Sequence, residues 1–132
     1  MQKKIAIIGA GNLGVSLVEG LVESGVYKPN HFNLSRRNIK KLDHLKPLGY
    51  NIFSSNIEAI NNADIIIIAV LPQKINEVLD EINSTVDQTH LIISLVSGVE
   101  IDEIVSQIKN EVPVIRAMPN TAIAIRESMT CI

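Results

Sequence analysis

A turn with three closely spaced glycines, near the start of the chain, constrains the fold more than any other feature. An apolar run over residues 5–8 ends at Gly9, and Gly11 and Gly14 complete the pattern G-x-G-x-x-G before a segment of helical periodicity. Gly9 permits a tight turn, Gly11 lets the backbone approach a diphosphate, and Gly14 lets the helix pack closely on the strand. This arrangement is typical of dinucleotide-binding sites, where the positive end of the helix faces the anion. The alternative is a strand–helix turn that is rich in glycine for structural reasons alone.

The apolar runs that follow predict strands that alternate with helices along the chain. Beyond residues 5–8, strands are predicted at 31–34, 50–53, 64–70, 90–95 and 112–118. With two Phe, two Tyr and no Trp, the core has to be built from Ile, Val and Leu, which suits a parallel sheet covered on both faces. The 132 residues are enough for one domain, so the sequence predicts a single doubly wound, Rossmann-type parallel sheet of the α/β class.

Helix boundaries are predicted from capping residues and from the spacing of apolar residues. The second helix is expected to begin with Asn38 as its N-cap and to end before Pro47. Asn56 is predicted to cap a short helix through residue 60, and Pro72 to lie in the first turn of the next helix. In the last predicted helix, one apolar face is marked by Ile101, Ile104, Val105 and Ile108.

Net charge and cysteine content exclude several classes of function. The net charge of -2 gives no support to a nucleic-acid or membrane-surface role. The single cysteine, Cys131, excludes an internal disulfide framework and a multi-cysteine metal site, and we expect no metal. No apolar run approaches the length of a membrane span, and Lys3 and Lys4 lead directly into the first strand. We therefore expect no membrane segment, no signal peptide and a cytoplasmic location.

The segment after the second strand bears on which dinucleotide is bound. An NAD site places an acidic residue about 20 positions after the glycine turn, to bind the adenosine ribose. Here that place is held by Ser35, Arg36 and Arg37, with no carboxylate nearby. A guanidinium offers a permanent charge and a planar fork for a phosphate, and Ser35 adds a hydroxyl donor. We therefore predict NADP(H) rather than NAD(H), with Arg36 on the 2′-phosphate and Arg37 stacked on adenine or facing solvent. A solvated basic pair at the strand end is the alternative.

Two further segments follow strands at the same edge of the predicted sheet. After the fourth strand, the backbone of Val70 and Leu71 is placed to line the ribose and nicotinamide, and Pro72 stiffens the turn. After the sixth strand, Asn120 and Thr121 offer hydrogen bonds to a carboxamide or a substrate. An ordinary strand–helix loop and a Pro-Asn turn are the respective alternatives.

The remaining titratable residues are predicted to be structural or solvated. His31, His44 and His90 are assigned neither to catalysis nor to metal binding, and no residue is assigned a catalytic role. The acidic residues of the later helices alternate with apolar positions, so we expect them to form solvated faces. They are Glu77, Asp80, Glu81, Asp102 and Glu103.

Taken together and in order, these segments resemble the pyrroline-5-carboxylate reductases. The matching stretches are residues 7–14, 35–36, 63–64, 69–73, 93–94, 97–98, 116–121 and 127–130. The combination of V-x-P-Q at 70–73 and M-P-N-T at 118–121 is specific, whereas the glycine motif alone is not. The sequence departs from the family at Leu71, Ala122 and Ser128, where Lys, Pro and Gly are usual. These departures affect local geometry more than the choice of cofactor.

The resemblance implies NADPH-dependent reduction of 1-pyrroline-5-carboxylate to L-proline, the last step of proline biosynthesis. It implies that the turn at Gly11, Asn12 and Leu13 holds the diphosphate, and that Ser35 and Arg36 hold the 2′-phosphate. The residues that it implies near the ribose and nicotinamide are Asn56, Val70, Pro72 and Asn120.

The resemblance also implies a second, helical domain that lies beyond this chain, dimerises the protein and completes the pyrroline pocket. Residues 1–132 would then be the NADP-binding domain of a homo-oligomeric cytoplasmic enzyme, unable to turn over alone. The alternatives are a stand-alone NADP-binding module and another NADP oxidoreductase, such as a β-hydroxyacid dehydrogenase or an F420-dependent NADP reductase.

Overall fold

The computed structural model describes residues 3–117, which form a six-stranded parallel sheet with helices on both faces. The strands are β1 Ile5–Ile8, β2 Phe32–Ser35, β3 Asn51–Phe53, β4 Ile65–Ile68, β5 Leu91–Ser94 and β6 Val114–Arg116. Their order across the sheet is β3-β2-β1-β4-β5-β6, and every neighbouring pair is parallel. The order reverses between β1 and β4, so the predicted doubly wound, Rossmann-type sheet is confirmed.

In the part of the chain that the structure describes, four α-helices and three 3₁₀ segments connect the strands. The α-helices are α1 Asn12–Glu23, α2 Asn56–Ile60, α3 Ile75–Ile82 and α4 Ile101–Ser106. The 3₁₀ segments are Pro29–His31, Ile39–Leu48 and Pro72–Lys74, the last leading directly into α3. Within residues 3–117, no helix has both the length and the apolar character that crossing a bilayer requires.

The core consists of two apolar layers, one on each face of the sheet. Along β1, Ala6 and Ile8 enter the layer under α2, α3 and α4, whereas Ile5 and Ile7 enter the layer under α1 and the 39–48 segment. The residues of β4 alternate in the same way, as the period of two along a strand requires. This burial on both faces explains why the central strands read as uninterrupted apolar runs.

The second predicted helix is a 3₁₀ helix and extends past Pro47, so the prediction that it ends before this proline is wrong. Its two buried apolar residues, Leu42 and Leu45, are three positions apart, which aligns them at three residues per turn. The Asn38 side chain accepts a hydrogen bond from the Lys40 amide, as an N-cap should. The C-cap of this helix is Gly49, with φ of 105°. Glycine suits this left-handed position because it lacks a Cβ.

The N-cap of α2 is Ser55, and the prediction of Asn56 as the cap is wrong. The Ser55 hydroxyl accepts a hydrogen bond from the Glu58 amide at 3.4 Å. The serine at the N-cap thus provides an acceptor for an amide of the first turn, because its short side chain can reach the amide of the third helical residue. The Asn56 side chain is thereby left for contacts outside the helix.

The predicted apolar face of the last helix is only half correct. Ile104 and Ile108 are buried, but Ile101 and Val105 are 38% and 47% exposed. Helix α4 ends at Ser106, so Ile108 lies beyond it, and the six-residue helix itself buries one apolar side chain, that of Ile104. The sixth strand ends at Arg116 and not at residue 118, which lies outside the described residues.

Candidate cofactor-binding site

The glycine turn after β1 has no room for a side chain at its first position. Gly9 has φ of 81°, and a Cβ added there would lie 2.6 Å from Val70 Cγ1 and 3.1 Å from the Ala69 carbonyl oxygen. The turn is therefore pressed against the end of β4, and both the backbone conformation and the close approach require glycine.

The other two glycines set the helix against the strand and leave its N-terminus open. A Cβ at Gly14 would lie 2.9 Å from Ile7 Cγ2, so glycine permits the close helix–strand contact. Among residues 3–117, a Cβ at Gly11, the N-cap, would meet only the Gly9 carbonyl oxygen, at 3.9 Å. This geometry matches the roles predicted for the motif: close packing at the third glycine and an open approach at the second.

The first turn of α1 presents backbone amides to this open side. The first intrahelical bond runs from the Val15 amide to the Gly11 carbonyl, and the N-cap, a glycine, has no side chain with which to cap the helix. The amides of Asn12, Leu13 and Gly14 therefore have no acceptor within the helix, at the positive end of its dipole. The Gly11 amide, predicted as a diphosphate donor, instead donates to the Gly9 carbonyl at 2.7 Å. The amides suited to an anion are thus those of residues 12–14.

A cleft of about 270 Å³ opens beside this turn, at the carboxyl edge of the sheet where the strand order reverses. Ligands of open α/β sheets bind at this position. The structure brings together here four of the predicted residues, Gly9, Arg36, Asn56 and Val70. The cleft is also lined by Ile8, Arg37, Ser54, Lys74, Glu77, Val78 and Glu81.

The end of β2 is fastened to the glycine turn, and this fastening positions Arg36. The Ser35 carbonyl accepts hydrogen bonds from the Gly9 and Ala10 amides, at 3.2 and 2.9 Å. The Arg36 amide donates to the Phe53 carbonyl at 3.2 Å, and its guanidinium Nη1 donates to the Ala10 carbonyl at 3.4 Å. The guanidinium therefore lies beside the glycine turn. The helix that follows this turn is α1, whose first amides suit an anion.

Ser35 lies behind the cleft and not on its surface. Its side chain is fully buried, and its hydroxyl donates to Asn56 Oδ1 at 2.5 Å. Asn56 Nδ2 in turn donates to Glu81 Oε2 at 3.0 Å. These hydrogen bonds fix the orientation of the Asn56 amide in the cleft wall. Ser35 therefore acts on the cleft indirectly, by orienting Asn56.

The predicted solvated face of α3 forms the opposite wall of the cleft. Glu77 pairs with Arg37, and its other carboxylate oxygen lies 3.8 Å from Lys74 Nζ. The only sequence signal for this was the spacing of Lys74, Glu77 and Glu81, which places all three on one side of a helix. Arg37 was predicted to stack on adenine or to face solvent, and its exposed side chain faces solvent at the rim, where it pairs with the Glu77 carboxylate.

Comparison with known proteins identifies the family. The model of a family described as "NADP oxidoreductase coenzyme F420-dependent" matches residues 4–98. The chain belongs to this family of NADP oxidoreductases. Its description names the cofactor that was predicted from the end of β2, and its matched residues include the glycine turn, the Arg36 segment and the α3 wall of the cleft.

Several relatives of this NADP oxidoreductase domain are named pyrroline-5-carboxylate reductases, the family that its motifs resemble. The chain is 50% identical to pyrroline-5-carboxylate reductase 2 of Dictyostelium discoideum over 99% of its own length and 45% of the relative's. It superimposes on a pyrroline-5-carboxylate reductase of Coxiella burnetii with a TM-score of 0.90 and 32% identity, covering 98% of this chain and 48% of that one. The enzyme of Plasmodium falciparum, solved with NADP bound, gives a TM-score of 0.84 at 26% identity and the same coverage. The chain thus spans just under half the length of these relatives.

Several predicted residues of the NADP oxidoreductase site lie away from the cleft lining. Leu71 and Pro72 follow β4, and Leu71 is 62% exposed. The predicted substrate residues Asn120 and Thr121 lie outside the described residues. The structure therefore brings Gly9, Arg36, Asn56 and Val70 to one cleft, and the roles of all the predicted residues in binding a ligand stay predictions.

Two histidines and a tyrosine outside the cleft have contacts of their own. The histidine Nδ1 atoms of His31 and His90 accept backbone hydrogen bonds from Lys28 and Asp87, at 2.9 and 3.1 Å. Burial, with a contribution from Glu19, raises the pKa of Tyr50, which lies in the core layer under α1. Between residues 3 and 117, no group of three or more His, Cys, Asp or Glu side chains is arranged to hold a metal ion.

Proposed function

We propose that this chain binds NADP(H) in the cleft at the strand-order reversal, with the 2′-phosphate on Arg36. The observation that carries the proposal is the position of the Arg36 guanidinium, 3.4 Å from the carbonyl of Ala10 in the glycine turn. The end of β2 carries no carboxylate that would bind the ribose of NAD, and an arginine there provides a permanent charge and several donors for a phosphate.

The residues present fit the dinucleotide at both of its phosphate positions. The amides of Asn12, Leu13 and Gly14 suit the diphosphate, and the space next to Gly11 would be filled by any larger residue at that position. Asn56, oriented by Ser35 and Glu81, lines the wall where the adenosine ribose would lie. The backbone of Val70 and Leu71, together with Pro72, extends from there toward the nicotinamide.

In the whole protein, we propose reduction of 1-pyrroline-5-carboxylate to L-proline. The bound NADPH would supply a hydride to the imine carbon, and this domain would hold the cofactor in a fixed position for that transfer. Asn120 and Thr121 are the proposed contacts to the carboxamide or substrate. Two observations support this proposed activity: the relatives are named pyrroline-5-carboxylate reductases, and the sequence contains the M-P-N-T stretch.

We further propose that the whole protein is a cytoplasmic homo-oligomer whose second domain completes the substrate pocket. This chain corresponds to just under half of its relatives. On this proposal, residues 1–132 alone bind NADPH but show no steady-state oxidation of NADPH with pyrroline-5-carboxylate. A full-length protein that oxidises NADPH with coenzyme F420 and not with the imine would favour the second candidate, which the family description suggests.

Calorimetric titration of the chain with NADPH and NADH tests the cofactor proposal. We expect the wild type to bind NADPH more tightly than NADH, and Arg36→Ala to lose about 10- to 100-fold in NADPH affinity, because hydrogen bonds to charged groups are the strong ones. The same substitution should change NADH affinity little. Equal affinities in the wild type, or an unchanged NADPH affinity in Arg36→Ala, would contradict the proposal.

A further inference from the structure

We propose that Glu77 sets the strength of the preference for NADP(H), because it holds Arg37 in an ion pair at the rim of the cofactor cleft. The inference rests on the proposed function, since it assigns a role in binding the same 2′-phosphate. Glu77 is thereby a specificity-determining residue that weakens phosphate binding.

Glu77 contacts two cations that line the cleft from different elements. One carboxylate oxygen pairs with Nη2 of Arg37, just beyond β2, and the other lies 3.8 Å from Nζ of Lys74, at the start of α3. The side chains of Arg37 and Glu77 are 76% and 55% exposed, so both can exchange partners with a solute. The pair therefore joins the two walls of the cleft at its open side.

The two adjacent arginines differ in what engages them. The Arg36 guanidinium donates to a backbone carbonyl of the glycine turn, which leaves its charge uncompensated by that contact. The Arg37 guanidinium is engaged by a carboxylate, so a phosphate has to compete with Glu77 for it. Arg36 can thus serve as the first phosphate ligand, while Arg37 becomes available only when the pair opens.

The charges that line the cleft also indicate that Glu77 weakens the binding of a phosphate. Its lining carries three cations, Arg36, Arg37 and Lys74, against the two carboxylates of Glu77 and Glu81. Replacing Glu77 with glutamine keeps the size of the side chain, removes one carboxylate and releases two cations. Because a 2′-phosphate carries nearly two negative charges, the change should act on NADPH far more than on NADH.

Titration of Glu77→Gln with NADPH and NADH tests the inference, with Asp80→Asn as the matched control. Asp80 is an exposed acid on the same helix that does not line the cleft. In Glu77→Gln we expect NADPH affinity to rise about three- to tenfold and NADH affinity to change less than twofold. Asp80→Asn should change neither affinity by more than twofold. The gain should shrink as salt is raised, because exposed charges are screened.

The double variant Glu77→Gln/Arg37→Ala separates release of Arg37 from a general change of charge. We expect it to lose most of the gain seen in Glu77→Gln. Equal gains for NADPH and NADH, no gain at all, or a gain that persists without Arg37 would overturn the inference while leaving the role of Arg36 intact. A wild type that binds neither dinucleotide, or both equally, would overturn the proposed function and this inference with it.

Discussion

At the scale of single residues, the most constrained position is Gly9. Its positive φ and the 2.6 Å approach of Val70 Cγ1 to a hypothetical Cβ are two separate reasons for glycine. Gly25 offers a natural comparison, because its φ is 86° but no other atom in the described part of the chain lies within 4 Å of a Cβ built there. Comparing Gly9 with Gly25 therefore separates the effect of backbone strain from that of the steric conflict at the glycine turn.

Alanine substitutions at these two glycines should differ in their effect on stability. We expect Gly25→Ala to lower the free energy of unfolding by about 1–2 kcal/mol, the strain of the left-handed backbone alone. Gly9→Ala should lower it by about 3–5 kcal/mol, because overpacking against β4 adds to the same strain. Urea unfolding followed by circular dichroism measures both. Equal losses in the two variants would show that the contact with Val70 does not constrain the turn.

At the scale of the elements, capping explains why one short helix begins where it does. Helix α2 has five residues, too few to be stable in isolation, and depends on its cap and on its packing. Both Ser55 and Asn56 are good capping residues by type, so the sequence alone does not choose between them. The structure assigns the cap to Ser55 because Asn56 is held by Ser35 and Glu81, from two other elements.

Removal of this cap should have a measurable and local effect. We expect Ser55→Ala to lower the free energy of unfolding by about 1 kcal/mol, because one amide of the first turn loses its acceptor. Ser54→Ala, at the exposed neighbouring serine, should change it by less than about 0.5 kcal/mol. Urea unfolding of both variants tests this, and an Ser55→Ala protein as stable as the wild type would refute the assignment of the cap.

The strands and the glycine turn could be predicted from the sequence, whereas the pairing of side chains across the cleft could not. Apolar runs and glycine spacing are local signals, so β1, β4 and the start of α1 follow from short stretches of sequence. The contact between Arg37 and Glu77 joins residues 40 positions apart. It depends on how α3 is rotated over the sheet, which no local pattern specifies. The same holds for the hydrogen bond from the Ser35 hydroxyl to Asn56, which joins residues 21 positions apart.

At the scale of the whole molecule, the sheet topology creates the site. The chain leaves β1 in one direction across the sheet and returns to the other side at β4, which opens a cleft between the two connections. The glycine turn, the end of β2 and the first residues of α3 meet there although they are far apart in sequence. The fold therefore places the glycine turn that leads into α1 at the cleft and two arginines along its wall, the arrangement on which the proposed binding of a phosphorylated dinucleotide rests.

A crystal structure of the chain with NADPH at saturating concentration tests this account most directly. The account predicts a diphosphate within hydrogen-bond distance of the amides of residues 12–14 and a 2′-phosphate on the Arg36 guanidinium. A dinucleotide bound elsewhere, a 2′-phosphate that makes no contact with Arg36, or no dinucleotide at all would contradict it.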